Sequence, residues 1–409
     1  MTGRPEVVVT GLGAITPLGG DVGSTWQALL AGESGIHAGA LSDPAHPELS
    51  GTVSGTMAVD PAGLFPPAQA RRLDRSQQAA SAAAEQAWED AGRPEADPER
   101  FAVAVGTGIG GVSTLLRQAA VLENDGTRKV SPRTVPMMMP NAAAATISIA
   151  YGARAGSYTP VSACSSGAEA IAMGARLIRA GEADIVIAGG TEAATTPITV
   201  ASFAQARTLA RATDDPAFAS RPLAADRDGF VLGEGAGIVV LESAEHAAAR
   251  GARVHAVLAG AGITSDAHHI TAPAPDGAGQ MSAMRKALAQ AGMTPGQVSH
   301  VNAHATGTPV GDVLEARAIR EIFGRVSVTA PKASLGHLFG AAGAVEALIT
   351  ILSVRDGVIP PTRNLAKAGL DPEIDLDAVT ERRDAAQEAA LSNSFGFGGQ
   401  NVSLLFTRA

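Results

Sequence analysis

The hydrophobic pattern of this 409-residue chain changes period along its length. Short apolar runs such as EVVVTGLG, FAVAVGTG and DIVIAGG are each bounded by glycine, while stretches such as RRLDRSQQAASAAAEQAWEDAG carry apolar positions at helical spacing. Continuous runs of this kind fit strands buried on both faces. Their alternation with helical segments predicts an α/β fold.

The runs also recur in order. VVTGLGAIT (8–16) resembles VLAGAGIT (257–264), and FAVAVGTGIGG (101–111) has a counterpart in HVNAHATGTPVGD (300–312). PVSACSSGAEAIAMGARLI (160–178) parallels APKASLGHLFGAAGAVEALI (330–349), and GFVLGEGAGIVVLE (229–242) parallels SFGFGGQNVSLLF (394–406). The doubling predicts two similarly folded halves, about 1–250 and 251–409, with insertions mostly in the first. The insertion around 112–157, with its run MMMPNAAAATISIA, reads as core and interface packing, its methionines filling gaps.

Composition narrows the function classes. With 45% hydrophobic and 17% charged residues the chain can bury enough surface to fold, which sets aside disorder. A net charge of −9 argues against nucleic acid as the main partner. One cysteine allows no internal disulfide, MTGRPEVVVTGLG has no apolar signal core, and no run of about 20 apolar residues suits a membrane span, so a cytoplasmic protein is expected.

Several motifs compete for the chemistry. GTGIGG (106–111) matches the dinucleotide fingerprint, but ENDGTRKVSPRTVP follows it where a second strand ending in an acidic residue is required. A tight strand-to-helix turn is the better reading. His300 and His304 lack an HExxH glutamate, and the adjacent His268 and His269 cannot converge on one ion, so no metal site and no cofactor are expected. The esterase elbow GxSxG is absent.

Cys164 remains. A lone cysteine is most often a packing residue, yet this one falls between strand-like TPVSA and helix-like EAIAMGARLI, where a helix N-terminus favours a thiolate. Ser165, Ser166 and Gly167 allow a sharp turn. The second half supplies His304 after an apolar run and His337 in the segment that parallels the cysteine segment, with Lys332 five residues earlier. Two histidines at glycine-flanked turns, in the repeat that lacks the cysteine, point to nucleophilic catalysis.

These motifs together resemble the elongating β-ketoacyl-acyl carrier protein synthases, condensing enzymes of type II fatty acid synthesis with the thiolase-like fold. The resemblance runs from VVVTGLGAITPLG through VSACSSG, RPLAADRDGFVLGEGAG, VNAHATGTPVGD, KASLGHLFGAAGAVE and NSFGFGGQN. It implies two βαβαβαββ halves in a layered α-β-α-β-α body. It also implies a Cys164, His304, His337 site supported by Lys332 and Glu346, and an oxyanion hole from the backbone N–H groups of Cys164 and Phe397. Thr306 and Thr308 would hold the pantetheine arm; Ile109, Phe395 and Phe397 would form gate and pocket; Arg71, Arg72, Arg128, Lys129 and Arg207 would dock an acidic acyl carrier protein. A homodimer is implied.

One departure is Ala305, where the family usually has glycine; its methyl group would crowd a backbone of positive φ. Thiolases need a second cysteine, which this chain lacks, and initiating condensing enzymes carry Asn where His337 stands. A ketosynthase subunit of a type II polyketide pathway and a catalytically silent partner subunit stay open as alternatives.

Overall fold

The computed structural model describes residues 5–39, 49, 51–211 and 213–409. Its main sheet has eleven strands. In chain order they are β1 Val7–Ile15, β2 Phe101–Gly106, β3 Gly156–Tyr158, β4 Ile185–Glu192, β5 Gly235–Ser243, β6 Ala256–Ser265, β7 Val298–Asn302, β8 Ser327–Thr329, β9 Asp377–Ala378, β10 Ala389–Gly396 and β11 Gln400–Thr407. The path β1-β5-β4-β2-β3 through the first half is repeated as β6-β11-β10-β7-β8 in the second, with β9 added at the outer edge. In each path the first two pairings are antiparallel and the last two parallel. The two paths meet where Val8 faces Val257 and Val9 faces Ala256.

Six longer helices complete the body: α1 Arg75–Asp90, α2 Val112–Asp125, α3 Ser166–Arg179, α4 Ala278–Ala291, α5 Pro309–Phe323 and α6 Ala342–Asp356. Helices α3 and α6 pack on each other and on strands of the sheet, while α1 covers β1 and β5 and α4 covers β6 and β11. This is the layered arrangement expected. Every residue of α6 from Ala342 to Val354 is buried, and its polar positions Glu346, Thr350 and Ser353 are bonded inside, to Lys332, Asn302 and Gln387.

The recurrent Gly-x-Gly of the first strand of each half has a steric cause. A Cβ on Gly11 or Gly13 would stand 2.1 or 1.9 Å from the carbonyl oxygens of Ala87 and Ala83 in α1. One on Gly260 or Gly262 would stand 2.0 or 1.9 Å from those of Ala287 and Ala283 in α4. Glycine in the strand and alanine in the helix let the two backbones touch, and this close approach is made identically in both halves.

The insertion, expected to serve core and interface packing, divides in the chain by exposure. Met137 is buried, but Met139, Leu115, Leu122, Val135 and Ile149 are exposed in the chain, Ile149 to 83%. No helix among the described residues is long and apolar enough to cross a membrane.

Candidate active site

Cys164 lies in the 3-10 turn Ala163–Ser165 that leads into α3. Ala163 takes φ +52, a left-handed conformation costly for a residue with a Cβ. That kink turns the cysteine in from the strand-side segment, and Gly396 lets the β10 end approach closely: a Cβ there would lie 3.1 Å from the Cys164 nitrogen.

The His337 Nε2 is 3.0 Å from Cys164 Sγ. The His304 ring stands edge-on to His337, with centroids 5.4 Å apart. Lys332 donates to the His304 carbonyl oxygen and to Glu346, both at 2.5 Å, and its Nζ is 3.4 Å from His304 Nδ1. An ammonium at that nitrogen makes it the acceptor, so the neutral ring carries its proton on Nε2. All five side chains are buried.

Burial governs the proton states. It pushes the Cys164 thiol up to about 12 against the pull of Lys332 and of the Phe397 backbone N–H. Burial, with Lys332 adding to it, also holds His304 and His337 well below the ordinary histidine range. Glu346 rises to about 7 through burial in spite of Lys332. The resting pair is therefore a neutral thiol against a neutral imidazole. Thiolate forms only when something takes up its charge.

A cavity of about 300 Å³ opens on this group. Its walls include Thr306, Thr308, Phe395 and Phe397 as well as Cys164 and both histidines. Phe397 is 38% exposed. Ile109 is not among the walls; it lies 40% exposed in the turn after β2. Arg71, Arg72, Arg128, Lys129 and Arg207 are all exposed.

Ala305 does not adopt the left-handed conformation, so its methyl group meets no backbone penalty; Gly307, two residues on, takes the positive φ of +88. The GTGIGG segment is a strand-to-helix turn between β2 and α2. The Gly108 N–H that a dinucleotide phosphate would need already donates to the Glu192 carboxylate at 2.7 Å. His300 stays apart from the site, bonded at Nε2 to Thr329 within the sheet region.

Sequence reasoning missed the residues that hold the second-half turn. Glu315 accepts from the backbone N–H groups of His304 and Ala305 at 2.8 and 2.7 Å, and from Asn393 at 3.2 Å. Asp312 accepts from Gly307 and Leu223, and Arg227 donates to the carbonyls of Thr308 and Pro309. Asp312, Glu315, Ala316 and Ile319 are buried together on α5, so two acids at the apolar phase of that helix were the available signal.

The atoms of Cys164, His304 and His337 that could ligate a metal lie within 4.8 Å of one another. The Lys332 ammonium beside His304 opposes a cation there, and the cluster suits charge transfer between side chains and substrate better.

A buried cysteine at a helix N-terminus, faced by two histidines across a twofold-repeated α/β body, defines a thiolase-like condensing site. The chain belongs to the beta-ketoacyl synthase family: the family's N-terminal domain matches residues 4–247 and its C-terminal domain residues 255–366. It is a condensing acyltransferase. The 3-oxoacyl-[acyl-carrier-protein] synthase 2 of Mycobacterium tuberculosis is 46% identical over 100% of this chain and 99% of its own length. That of Synechocystis is 42% identical, with 99% and 98% covered. A beta-ketoacyl synthase from Burkholderia phymatum superposes with a TM-score of 0.90 at 34% identity, over 99% of this chain and 100% of that one. A type II polyketide ketosynthase, solved in complex with its acyl-carrier protein and bound to the hexaketide, gives 0.90 at 28% identity, with the same coverage.

Proposed function

We propose that the chain elongates fatty acyl groups by condensing a Cys164-bound acyl chain with malonyl-acyl carrier protein. The observation that carries this reading is the 3.0 Å contact of His337 with the thiol, with a second histidine ring 5.4 Å beyond it. Cys164 Sγ attacks the thioester carbonyl of an acyl carrier protein while its proton passes to His337 Nε2. The backbone N–H groups of Cys164 and Phe397 take the oxyanion, and the carrier thiol leaves with that proton. The helix N-terminus supports the developing sulfur charge.

Malonyl-carrier protein then enters along Thr306 and Thr308. Its C–C bond breaks to release carbon dioxide, and the electron pair becomes an enolate whose oxygen is held by the His304 Nε2–H, beside the His337 ring. The enolate carbon attacks the acyl thioester, and the Cys164 thiolate leaves. The His304 Nε2–H is a neutral donor fixed in a dry site and suits an enolate better than water would, because it needs no reorganisation. The complete nucleophile and histidine set favours a catalytic subunit over a silent one.

The carrier protein would dock on Arg71, Arg72, Arg128, Lys129 and Arg207, whose exposure leaves them available to an acidic partner. A second copy of the chain is the proposed partner for the apolar face. Strand β3 pairs on one side only, and Val135, Ile149, Val161 and Ile198 are more than half exposed. A free edge beside apolar side chains is covered most economically by its own symmetry mate. The halves 1–250 and 251–409 and a cytoplasmic location complete the proposal.

Intact mass after incubation with an acyl-carrier protein, run beside Cys164→Ala, tests it. An acyl increment on the wild type alone is expected. No increment with any chain length would return the silent-subunit reading.

A further inference from the structure

The GTGIGG turn finds no use in the condensation as written, and neither does the most enclosed acid beside it. Glu192, at the end of β4, is completely buried. Its carboxylate accepts from Thr107 Oγ1 at 3.0 Å, from the N–H groups of Gly108 and Ile109 at 2.7 and 3.4 Å, and from the Gly340 N–H at 3.2 Å. One side chain thus joins the turn after β2 to the turn that follows His337.

Around it the backbones touch. A Cβ on Gly340 would lie 2.3 Å from the Gly108 nitrogen, one on Gly190 2.4 Å from the Gly340 oxygen, and one on Gly106 2.3 Å from the Ser166 oxygen. Next to Gly340 stands Phe339, at φ +46, stacked on the His337 ring with centroids 4.7 Å apart. Gripping Gly340 therefore fixes the ring against which His337 rests.

The carboxylate has no cationic partner among the described residues. Burial lifts it to about 7, against the four donors. The titratable group facing it is Cys164, whose thiol its negative charge pushes upward; beyond the thiol lie His337, His304 and the Lys332–Glu346 pair. On neighbouring elements Arg75 is paired with Glu234, and Asp74 is bonded to Ser76 and Thr114.

We propose that Glu192 is a positioning residue of the condensing site whose carboxylate ties the two half-site turns together and whose charge opposes thiolate formation at Cys164. The inference rests on the condensing reading. It assigns GTGIGG a role: its amides bind an internal carboxylate instead of a ligand phosphate.

The test is the rate of Cys164 alkylation by iodoacetamide between pH 6 and 9 in wild type, Glu192→Gln and Thr107→Val, with acyl transfer from an acyl-carrier protein followed by intact mass in parallel. Removing the charge lets the thiolate form more readily. Glu192→Gln is expected to alkylate at least threefold faster than wild type at pH 8, with the gap closing by pH 6, where Glu192 is itself neutral. Thr107→Val, which loosens the same tie but keeps the charge, should not gain rate. A Glu192→Gln rate equal to or below wild type at pH 8, a gap that persists unchanged at pH 6, or an equal gain in Thr107→Val would overturn the proposal. Failure of the wild type to take an acyl group would instead remove the condensing reading, which separates the two failures.

Discussion

Histidine is used here in its neutral form, and three buried rings show how. His300 is brought down to about 3 by burial, and His304 and His337 are lowered by the same cause. In the unfolded chain each takes a proton near pH 6.5, whereas the folded chain refuses it, so each contributes stability that is lost as pH falls below 6.5. Glu192, Glu315 and Glu346, each raised to about 7 by burial, work oppositely: their contribution is complete below about 4.5 and lost as pH rises through 7. His300 is the clean probe, because it bonds Thr329 and not the catalytic group. In urea unfolding, His300→Gln should lose about 2–3 kcal/mol less than wild type between pH 7 and 4.5, from about 1.4 kcal/mol per pH unit over two units. An identical loss in both would mean that the ring is already charged when folded.

Among the elements, the contact of strand with helix through Gly-x-Gly sets the spacing of the outer layers. Gly13→Ala and Gly262→Ala should each cost about 3 kcal/mol or more in urea unfolding, since the added methyl meets a carbonyl oxygen of rigid helix backbone. Gly296→Ala, with nothing within 4 Å, should be near neutral. Equal effects at all three would show that the helices can move away. These glycines were readable in the sequence because a backbone contact leaves no alternative residue, and the repeat marks it twice. The turn carrying Cys164 and the turns carrying His304 and His337 were readable for a related reason, as glycine-flanked exits from apolar runs. Glu192 and Glu315 were not. The turn that Glu192 grips begins 85 residues earlier along the chain, and hydrogen bonding to main-chain N–H groups leaves no trace in the residues held. Ile109 was expected in the pocket; it lies in the turn after β2, 40% exposed, with its N–H bonded to Glu192.

For the whole molecule, the uncovered surfaces divide by chemistry. Ile149, the most exposed large apolar residue among the described residues, lies on the face proposed to meet a second copy. Ile149→Asp should shift the mass seen by light scattering at micromolar concentration toward the monomer; a wild type that is already monomeric would remove the dimer. The basic side chains are proposed to address a different partner. Arg128→Glu with Lys129→Glu should raise KM for a carrier-bound substrate at least fivefold and leave a small acyl thioester within twofold, because only the carrier feels the patch. Equal effects on both substrates would remove the docking role. Between these surfaces the chain holds one sulfhydryl, Cys164. Any maleimide, isotope-coded alkylator or acyl chloromethyl ketone that reacts with it therefore counts chains one for one. Every label the chain takes at sulfur reports on the active-site position, and labelling in a mixture would need no correction for bystander thiols on the same polypeptide.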